Sequence, residues 1–565
     1  MKMSIGHFLL RRLQEAGIHH IFGVPGDYNL ELMQQLEDRG VPAWIGNCNE
    51  LNASYATDAY ARINGLGALI VTHGVGTLSA INGIAGAYSE HVPVICISGS
   101  IPLRAIQRGD MMHHTLADRE KGNLCRMFAE VTAAQAQLTP ENAVAEIDRI
   151  ILTAWRRKLP VYLELPSDIS YLEIEVPESP IKLEMLPSDH ENLKACTEMI
   201  LEKLRAAKSP ALLLDIDAMR FGLSAQIMEL AARFHMNVAT LNCAKGAVPE
   251  SSPQFVGIYA GIASSPATRE AIEGSDALLT VGYRRIESTT GFFTDKLPAS
   301  AIHLNATYVE TADKNFQGVY IGELLQSLVD SSSGVLTKRQ PAHPPKRLAF
   351  VPSNDPLTQD AYWRAIQNFL RPGDVIVVED GTSSAGFGRL TLPDDCTYIT
   401  GAYVWCSIGY ATPALLGAIL ASPGRRHILL TGDGSLQMTV QEISTVMRLD
   451  LKPLIFVNQN QGYTVERAVL GKDAKYNDIA NWRYSELPNI FSRDKNAETR
   501  VVTTSNELQE VLDSPHSNMV FVECVMDKYD APYDLILGGH AIADTDYGAR
   551  GPQSAENAQI LFTTR

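Results

Sequence analysis

The sequence predicts an α/β protein built as three doubly wound parallel-sheet domains. Three observations predict it. Short apolar runs alternate with helical stretches along most of the chain, two proline-rich stretches interrupt that alternation, and 565 residues at roughly 150 per domain correspond to about three or four domains. Strands alternating with helices of this length form parallel sheets covered on both faces. In the first block the expected strands are 20–24, 43–45, 68–72, 94–98 and 161–165, with helices at 51–62 and 77–87. Pro166, Pro177, Pro180 and Pro187 then mark a linker. The second block carries expected strands at 211–215, 237–241, 277–281 and 301–304. Residues 331–356, with five prolines and three consecutive serines, read as a second linker. The third block has expected strands at 375–378, 427–431, 453–458 and 519–525. The expected domains are 1–180, 190–335 and 355–535. Residues 538–565, rich in Gly, Ala, Asp and Asn without clear periodicity, read as a C-terminal tail.

Composition narrows the function classes. The 45% hydrophobic and 20% charged content is that of a globular chain, and the formal charge of −16 argues against a nucleic-acid partner, which needs concentrated basic surface. Eight scattered cysteines, with no C-x-x-C pair, argue against a zinc site or disulfide framework and for a reducing compartment. The opening MKMSIGHFLLRRLQEAG has too short an apolar run for a signal peptide, and no window holds the ~18 apolar residues of a membrane helix. A cytoplasmic enzyme is the expectation, with neither nucleic acid nor membrane as a partner.

The most informative stretch is HILLTGDGSLQMTVQEISTVMRLDLKPLIFVNQNQGYTVE. It reads as a strand, the turn Gly432-Asp433-Gly434-Ser435, a helix with Leu436, Val440, Ile443 and Met447 on one face, and a second strand. A right-handed crossover places Asp433 and Asn460 together at the carboxyl edge of the sheet, where open α/β folds bind ligands. One carboxylate, one amide oxygen and nearby backbone carbonyls suit Mg²⁺, which is commonly shared with phosphate oxygens. Glycines let the backbone approach those phosphates, and a helix N-terminus offers free N–H groups. Gly74-Val75-Gly76 has a similar look, but Ser79 takes the third glycine position of a dinucleotide fingerprint, so a structural turn is the reading there.

The Gly-Asp-Gly to Asn unit resembles the thiamine diphosphate-dependent enzymes, with Gln459 in place of the first Asn of the usual pair. The resemblance implies thiamine diphosphate and Mg²⁺ as cofactors, with Asp433, Asn460 and the Gly462 carbonyl as metal ligands. It is carried further by CNELNASYATDAYAR, in which Glu50 matches the carboxylate set against the cofactor's aminopyrimidine ring. Three segments resemble the 2-oxo acid decarboxylase branch, of pyruvate and indolepyruvate decarboxylase type: Phe22 to Asp27, His113-His114 with Thr115-Leu116, and Gly462-Tyr463-Thr464-Val465-Glu466. Gly381-Thr382-Ser383 matches a loop near the cofactor, although the preceding Asp380 is unusual. In Trp405-Cys406-Ser407-Ile408-Gly409, Ile408 fits the residue that props the cofactor in its bent shape, while Cys406 stands where glycine is usual. Its backbone carbonyl is still available to bind the exocyclic amine.

The implied reaction is non-oxidative decarboxylation of a 2-oxo acid to an aldehyde and CO₂. Glu466 is the candidate group beside the substrate carboxylate, and Asp27, His113 and His114 are the candidates for proton transfer and product release. Ser384-Ala385 in place of a small-plus-aromatic pair predicts a roomy pocket for longer aliphatic or aromatic 2-oxo acids such as indolepyruvate, phenylpyruvate or a branched-chain 2-oxo acid. Because Glu50 and Asp433 fall on different domains, the resemblance implies a homodimer or homotetramer with sites shared between subunits. A thiamine-dependent carboligase of the acetohydroxyacid synthase type and a non-catalytic scaffold on the same sheets are the alternatives.

Overall fold

The computed structural model describes residues 1–332, 349–548 and 550–551. Most of the expected second linker and of the expected tail lie outside them. The contacts divide the chain into two units. The first comprises Met1–Leu186, Gly409–Arg425 and Thr439–Leu451, and the second holds the middle and third sheets.

The first unit is built on a six-stranded, all-parallel sheet in the order Ala43–Gly46, His20–Gly23, Gly67–Thr72, Val94–Ser100, Val161–Pro166, Gln135–Gln137. Its central strands are buried along their whole length, as expected of strands covered on both faces. Ile70, Ile95, Ile97 and Leu163 pack there against Phe8, Leu9 and Leu13 of the Ile5–Glu15 helix and Ile147 and Ile151 of the Ala143–Arg157 helix. Each such side chain contributes about 1.5–3 kcal/mol on burial. The Glu50–Asn64 helix starts at an Asn49 cap, whose side chain accepts from the Asn52 N–H, and ends at Gly65 in the left-handed region, φ 88°.

In the second unit, the middle sheet has a parallel core formed by Phe255–Ile258, Asn237–Thr240, Pro210–Leu214, Ala277–Val281 and Ile302–Leu304. It departs from a purely parallel sheet at one edge, where Tyr308–Glu310 and Asn315–Gln317 add antiparallel. These three-residue strands are only partly buried and so leave no continuous apolar signal. The third sheet is again all-parallel, in the order Thr397–Thr400, Val375–Val378, His427–Gly432, Leu454–Gln459, Val520–Val525, Glu498–Val502. Its two edge strands escaped the sequence reading; both mix polar with apolar residues.

Two local expectations are corrected. The helix expected through Leu436, Val440, Ile443 and Met447 is broken into Asp433–Thr439, a 3₁₀ turn at Val440–Glu442 and Ile443–Arg448. Thr439 leaves the helical region, at φ −142°, and its hydroxyl donates to the Gly409 carbonyl at 2.7 Å. Residues 538–547, read as part of an irregular tail, belong to the Tyr533–Tyr547 helix, which packs against the Thr464–Val469 and Thr382–Phe387 helices. Its glycines and alanines weaken the periodicity that signals a helix while allowing close packing on a neighbour.

Candidate active site

The third sheet brings its predicted residues together at its carboxyl edge. Strand His427–Gly432 ends in register with Asn458 of the next strand, so Asp433 and Asn460 emerge side by side. Asp433 is buried. Its Oδ1 accepts from Gly434 N at 2.8 Å, and its Oδ2 accepts from Asn460 N at 3.0 Å and Gln461 N at 2.7 Å. Burial lifts its carboxyl to about 6, with these N–H groups pulling the other way. A carboxyl this costly to ionise is most readily an anion when a cation accompanies it.

One end of the Asn460 carboxamide lies 3.1 Å from Asp433 Oδ1 and 3.0 Å from the Gly462 carbonyl oxygen, and the other end 3.0 Å from Thr464 Oγ1. With nitrogen facing the two oxygens, the metal-free chain is satisfied by hydrogen bonds. With oxygen facing them, three oxygens converge, the donor set of a hard divalent cation. The three predicted ligands thus fit Mg²⁺. Around them, a Cβ on Gly434 would lie 2.7 Å from the Tyr463 ring, so only glycine lets that ring close over the turn. Ser435 is buried in the first turn of the helix and Gly432 closes the strand. Gln459, the departure from the usual Asn, turns away and donates to Asn481 Oδ1 at 2.8 Å.

Thr382 is buried at the start of the Thr382–Phe387 helix, behind Gly381 at φ 106°. Cys406 is exposed and sits at φ 54°, a left-handed conformation that suits glycine. Ile408, two residues on, is half-buried. Glu466 lies in the first turn of the Thr464–Val469 helix. Its carboxyl is raised first by loss of hydration and then by Asp380 and Asp546. Asp380 is itself raised by burial, although the Gly381 N–H, the Ser384 hydroxyl and the Cys406 thiol donate to it.

The first unit gathers the other predicted residues. His113 Nε2 and Asp27 Oδ2 are 2.7 Å apart, and His113 and His114 stack edge-on with ring centres at 4.6 Å. One ligand atom from each of Asp27, His113 and His114 falls within 4.8 Å of the others. Sequence reasoning missed two neighbours. Tyr28 stacks on His113 at 4.8 Å and meets its Nδ1 at 3.1 Å. His73 is buried at the edge of the Tyr28 ring, and burial, with help from His114 and Lys121, depresses its imidazole to about 4.

Glu50 begins its helix with the carboxylate against the Gly74-Val75-Gly76 turn. A Cβ on Gly76 would stand 2.9 Å from Glu50 Oε1, and one on Gly74 would strike the His114 carbonyl at 1.8 Å. The turn is structural, as expected, but what it makes room for is the candidate site. A third missed residue is Glu442, fully buried, which accepts from Asn47 Nδ2 at 2.9 Å, Asn52 Nδ2 at 2.8 Å and Cys48 N at 3.3 Å. It fixes the segment on either side of Glu50. Nothing in the local sequence pairs Glu442 with residues some 390 positions away.

Comparison with known proteins gives the family. Models of the thiamine pyrophosphate enzyme N-terminal TPP binding domain, central domain and C-terminal TPP binding domain match residues 3–120, 197–322 and 381–524. Similar proteins include pyruvate decarboxylase isozyme 2 of Saccharomyces cerevisiae, 36% identical over 96% of this chain and 99% of that protein. The alpha-keto-acid decarboxylase of Mycolicibacterium paratuberculosis is 38% identical over 94% of this chain and 95% of its own length. The chain belongs to the thiamine diphosphate-dependent 2-oxo acid decarboxylase family. Membership gives the two groups of residues their context: the N-terminal family domain carries Asp27, Glu50, His113 and His114, and the C-terminal one carries Thr382, Cys406, Ile408, Asp433, Asn460, Gly462 and Glu466. A further pyruvate decarboxylase, of Candida glabrata, is 37% identical over 95% of this chain and 97% of its own length. No described helix is long and apolar enough to cross a membrane.

Proposed function

We propose that this member of the family decarboxylates longer aliphatic or aromatic 2-oxo acids, of the indolepyruvate, phenylpyruvate or branched-chain type, with Mg²⁺ as the metal. The observation that carries the cofactor half is the meeting of Asp433 Oδ1, the Gly462 carbonyl and the Asn460 carboxamide within 3.1 Å. These would hold the metal, with Gly432, Gly434, Ser435 and Tyr463 around the diphosphate. Thr382, the Cys406 carbonyl and Ile408 would bind and orient the organic part. Thiamine diphosphate, when bound, supplies the electron sink that lets CO₂ leave a 2-oxo acid.

The chain's own residues then manage protons. Glu50 would hold one against the aminopyrimidine ring. Conversion of a 2-oxo carboxylate to an aldehyde and CO₂ consumes one proton, which the Asp27–His113 pair, 2.7 Å apart with His114 beside it, would deliver. Each well-placed acid or base is worth about 10²–10⁴-fold. Glu466 would sit beside the substrate carboxylate, where its raised carboxyl keeps it a proton donor to higher pH than an ordinary glutamate. Ser384 and Ala385 supply little bulk, which supports a wide pocket.

Aldehyde release from pyruvate, 2-oxoisocaproate, phenylpyruvate and indolepyruvate, with thiamine diphosphate and Mg²⁺, tests the reading. Higher kcat/KM for the larger acids is expected, and a marked preference for pyruvate would sink the substrate assignment. Glu50 and Asp433 are further proposed to serve sites shared between subunits of a homodimer or homotetramer in the cytoplasm. Activity restored by mixing Glu50→Gln and Asp433→Ala chains supports shared sites; none at all counts against them.

A further inference from the structure

We infer that Arg467 is a positioning residue for the metal loop, selecting which backbone carbonyl of the Asn460–Gly462 turn is directed toward the metal. The inference rests on the metal reading above. Arg467 lies one residue beyond Glu466, yet its side chain is 3% exposed and turns away from solvent. Its Nη2 donates to the Gln461 carbonyl at 2.8 Å, to the Asn477 carbonyl at 3.2 Å and to Asp478 Oδ1 at 2.9 Å. Its Nη1 reaches the Asn460 carbonyl at 3.5 Å and Thr464 Oγ1 at 3.4 Å.

The opposite side of the same peptides faces an anion, because the N–H groups of Asn460 and Gln461 donate to Asp433 Oδ2. The turn is therefore suspended between a buried carboxylate and a buried guanidinium, with its peptide dipoles pointing from one to the other. That field holds the Asn460 and Gln461 carbonyls on the Arg467 side. The Gly462 carbonyl, which accepts from Thr464 N at 3.2 Å, instead approaches the Asn460 carboxamide beside Asp433. Gln461 adopts φ 61°, a left-handed conformation that a residue other than glycine keeps only when its surroundings enforce it. Tyr463 N donates to the Asn477 carbonyl at 2.9 Å, so segment 477–478 anchors the loop through the same carbonyl that Arg467 holds. A guanidinium fork suits this task because it addresses several oxygens at fixed angles, which a lysine ammonium does not.

The test is Mg²⁺ affinity, measured by calorimetry at saturating thiamine diphosphate, in Arg467→Met and Arg467→Lys, with circular dichroism and the melting temperature of the cofactor-free protein alongside. Arg467→Met is expected to raise the Kd for Mg²⁺ by about 10- to 100-fold, as loss of a supporting partner does at metal sites. Arg467→Lys, keeping the charge without the fork, is expected to fall between it and the wild type. A lower melting temperature with Mg²⁺ affinity within about twofold of wild type would overturn the inference and leave a merely structural role. If Arg467→Met does not fold, Arg467→Lys decides: affinity weakened about threefold or more supports the inference, and wild-type affinity overturns it. A wild-type protein that binds the cofactor without Mg²⁺ would overturn the metal reading as well, a result distinct from failure of the Arg467 variants alone.

Discussion

The first and third sheets have one topology and two trades. Numbered along its own chain, each runs 2-1-3-4-6-5, all parallel. In both, the candidate residues follow the same four strands. After strand one come Asp27 in the first sheet and Asp380 to Thr382 in the third. After strand two come Glu50 and Cys406 with Ile408, after strand three Gly74-Val75-Gly76 and Gly432-Asp433-Gly434, and after strand four His113-His114 and Asn460 to Gly462. This is the carboxyl edge at the reversal of strand order, where doubly wound sheets open a crevice. The difference lies in what is buried. The third sheet buries Asp433 and aligns peptides and an amide about it, as the proposed cation site requires. The first sheet leaves Asp27 and His113 about half-exposed and 2.7 Å apart, as the proposed proton transfer requires. A shared fold thus carries function only through the residues at its loops.

The largest test of this division is Asp433→Ala, expected to abolish measurable cofactor retention in a titration with Mg²⁺, beyond the about 10- to 100-fold typical of a supporting partner. Retention at wild-type affinity would break the comparison. Glu50→Gln should do the converse, lowering kcat by about 10²–10⁴-fold while the cofactor still binds. Loss of binding instead would give the first sheet a share in the cradle.

A third test concerns stability. His73 is depressed from 6.5 to about 4, so below pH 6.5 the unfolded chain takes up a proton that the folded one refuses. Its contribution is therefore complete above pH 6.5 and lost as pH falls toward 4, with a slope of up to about 1.4 kcal/mol per pH unit. Urea titrations across that range should show this slope flattened in His73→Phe; an unchanged slope would remove His73 from the account. The smallest expected effect is at Cys406. Relief of a left-handed conformation costing about 1–2 kcal/mol, less the about 0.5–1 kcal/mol entropic cost of glycine, predicts that Cys406→Gly raises stability by up to about 1.5 kcal/mol. A lower melting temperature would mean that the thiol's bond to Asp380 outweighs the strain.

Much of this was legible in the chain. The buried strands of both outer sheets announced themselves as short apolar runs, because a strand covered on two faces has no polar side to show. Asp433 and Asn460 were legible because a strand-turn-helix-strand unit fixes where its ends lie. Edge strands such as 397–400 and 498–502 were not, since threonines, a glutamate and an arginine interrupt their apolar runs, and the Tyr533–Tyr547 helix was hidden by its glycines.

By itself the sequence determined the α/β architecture and the residue types at the strand ends, which follow from local periodicity and short motifs. Tertiary structure alone decided their company. Glu442 steadies the Glu50 segment from nearly 400 residues away, Tyr28 and His73 join the histidine pair, and Arg467 turns inward to the Asn460–Gly462 turn instead of outward to water. These are long-range hydrogen bonds and burial, and neither leaves a period in the chain from which it could be read.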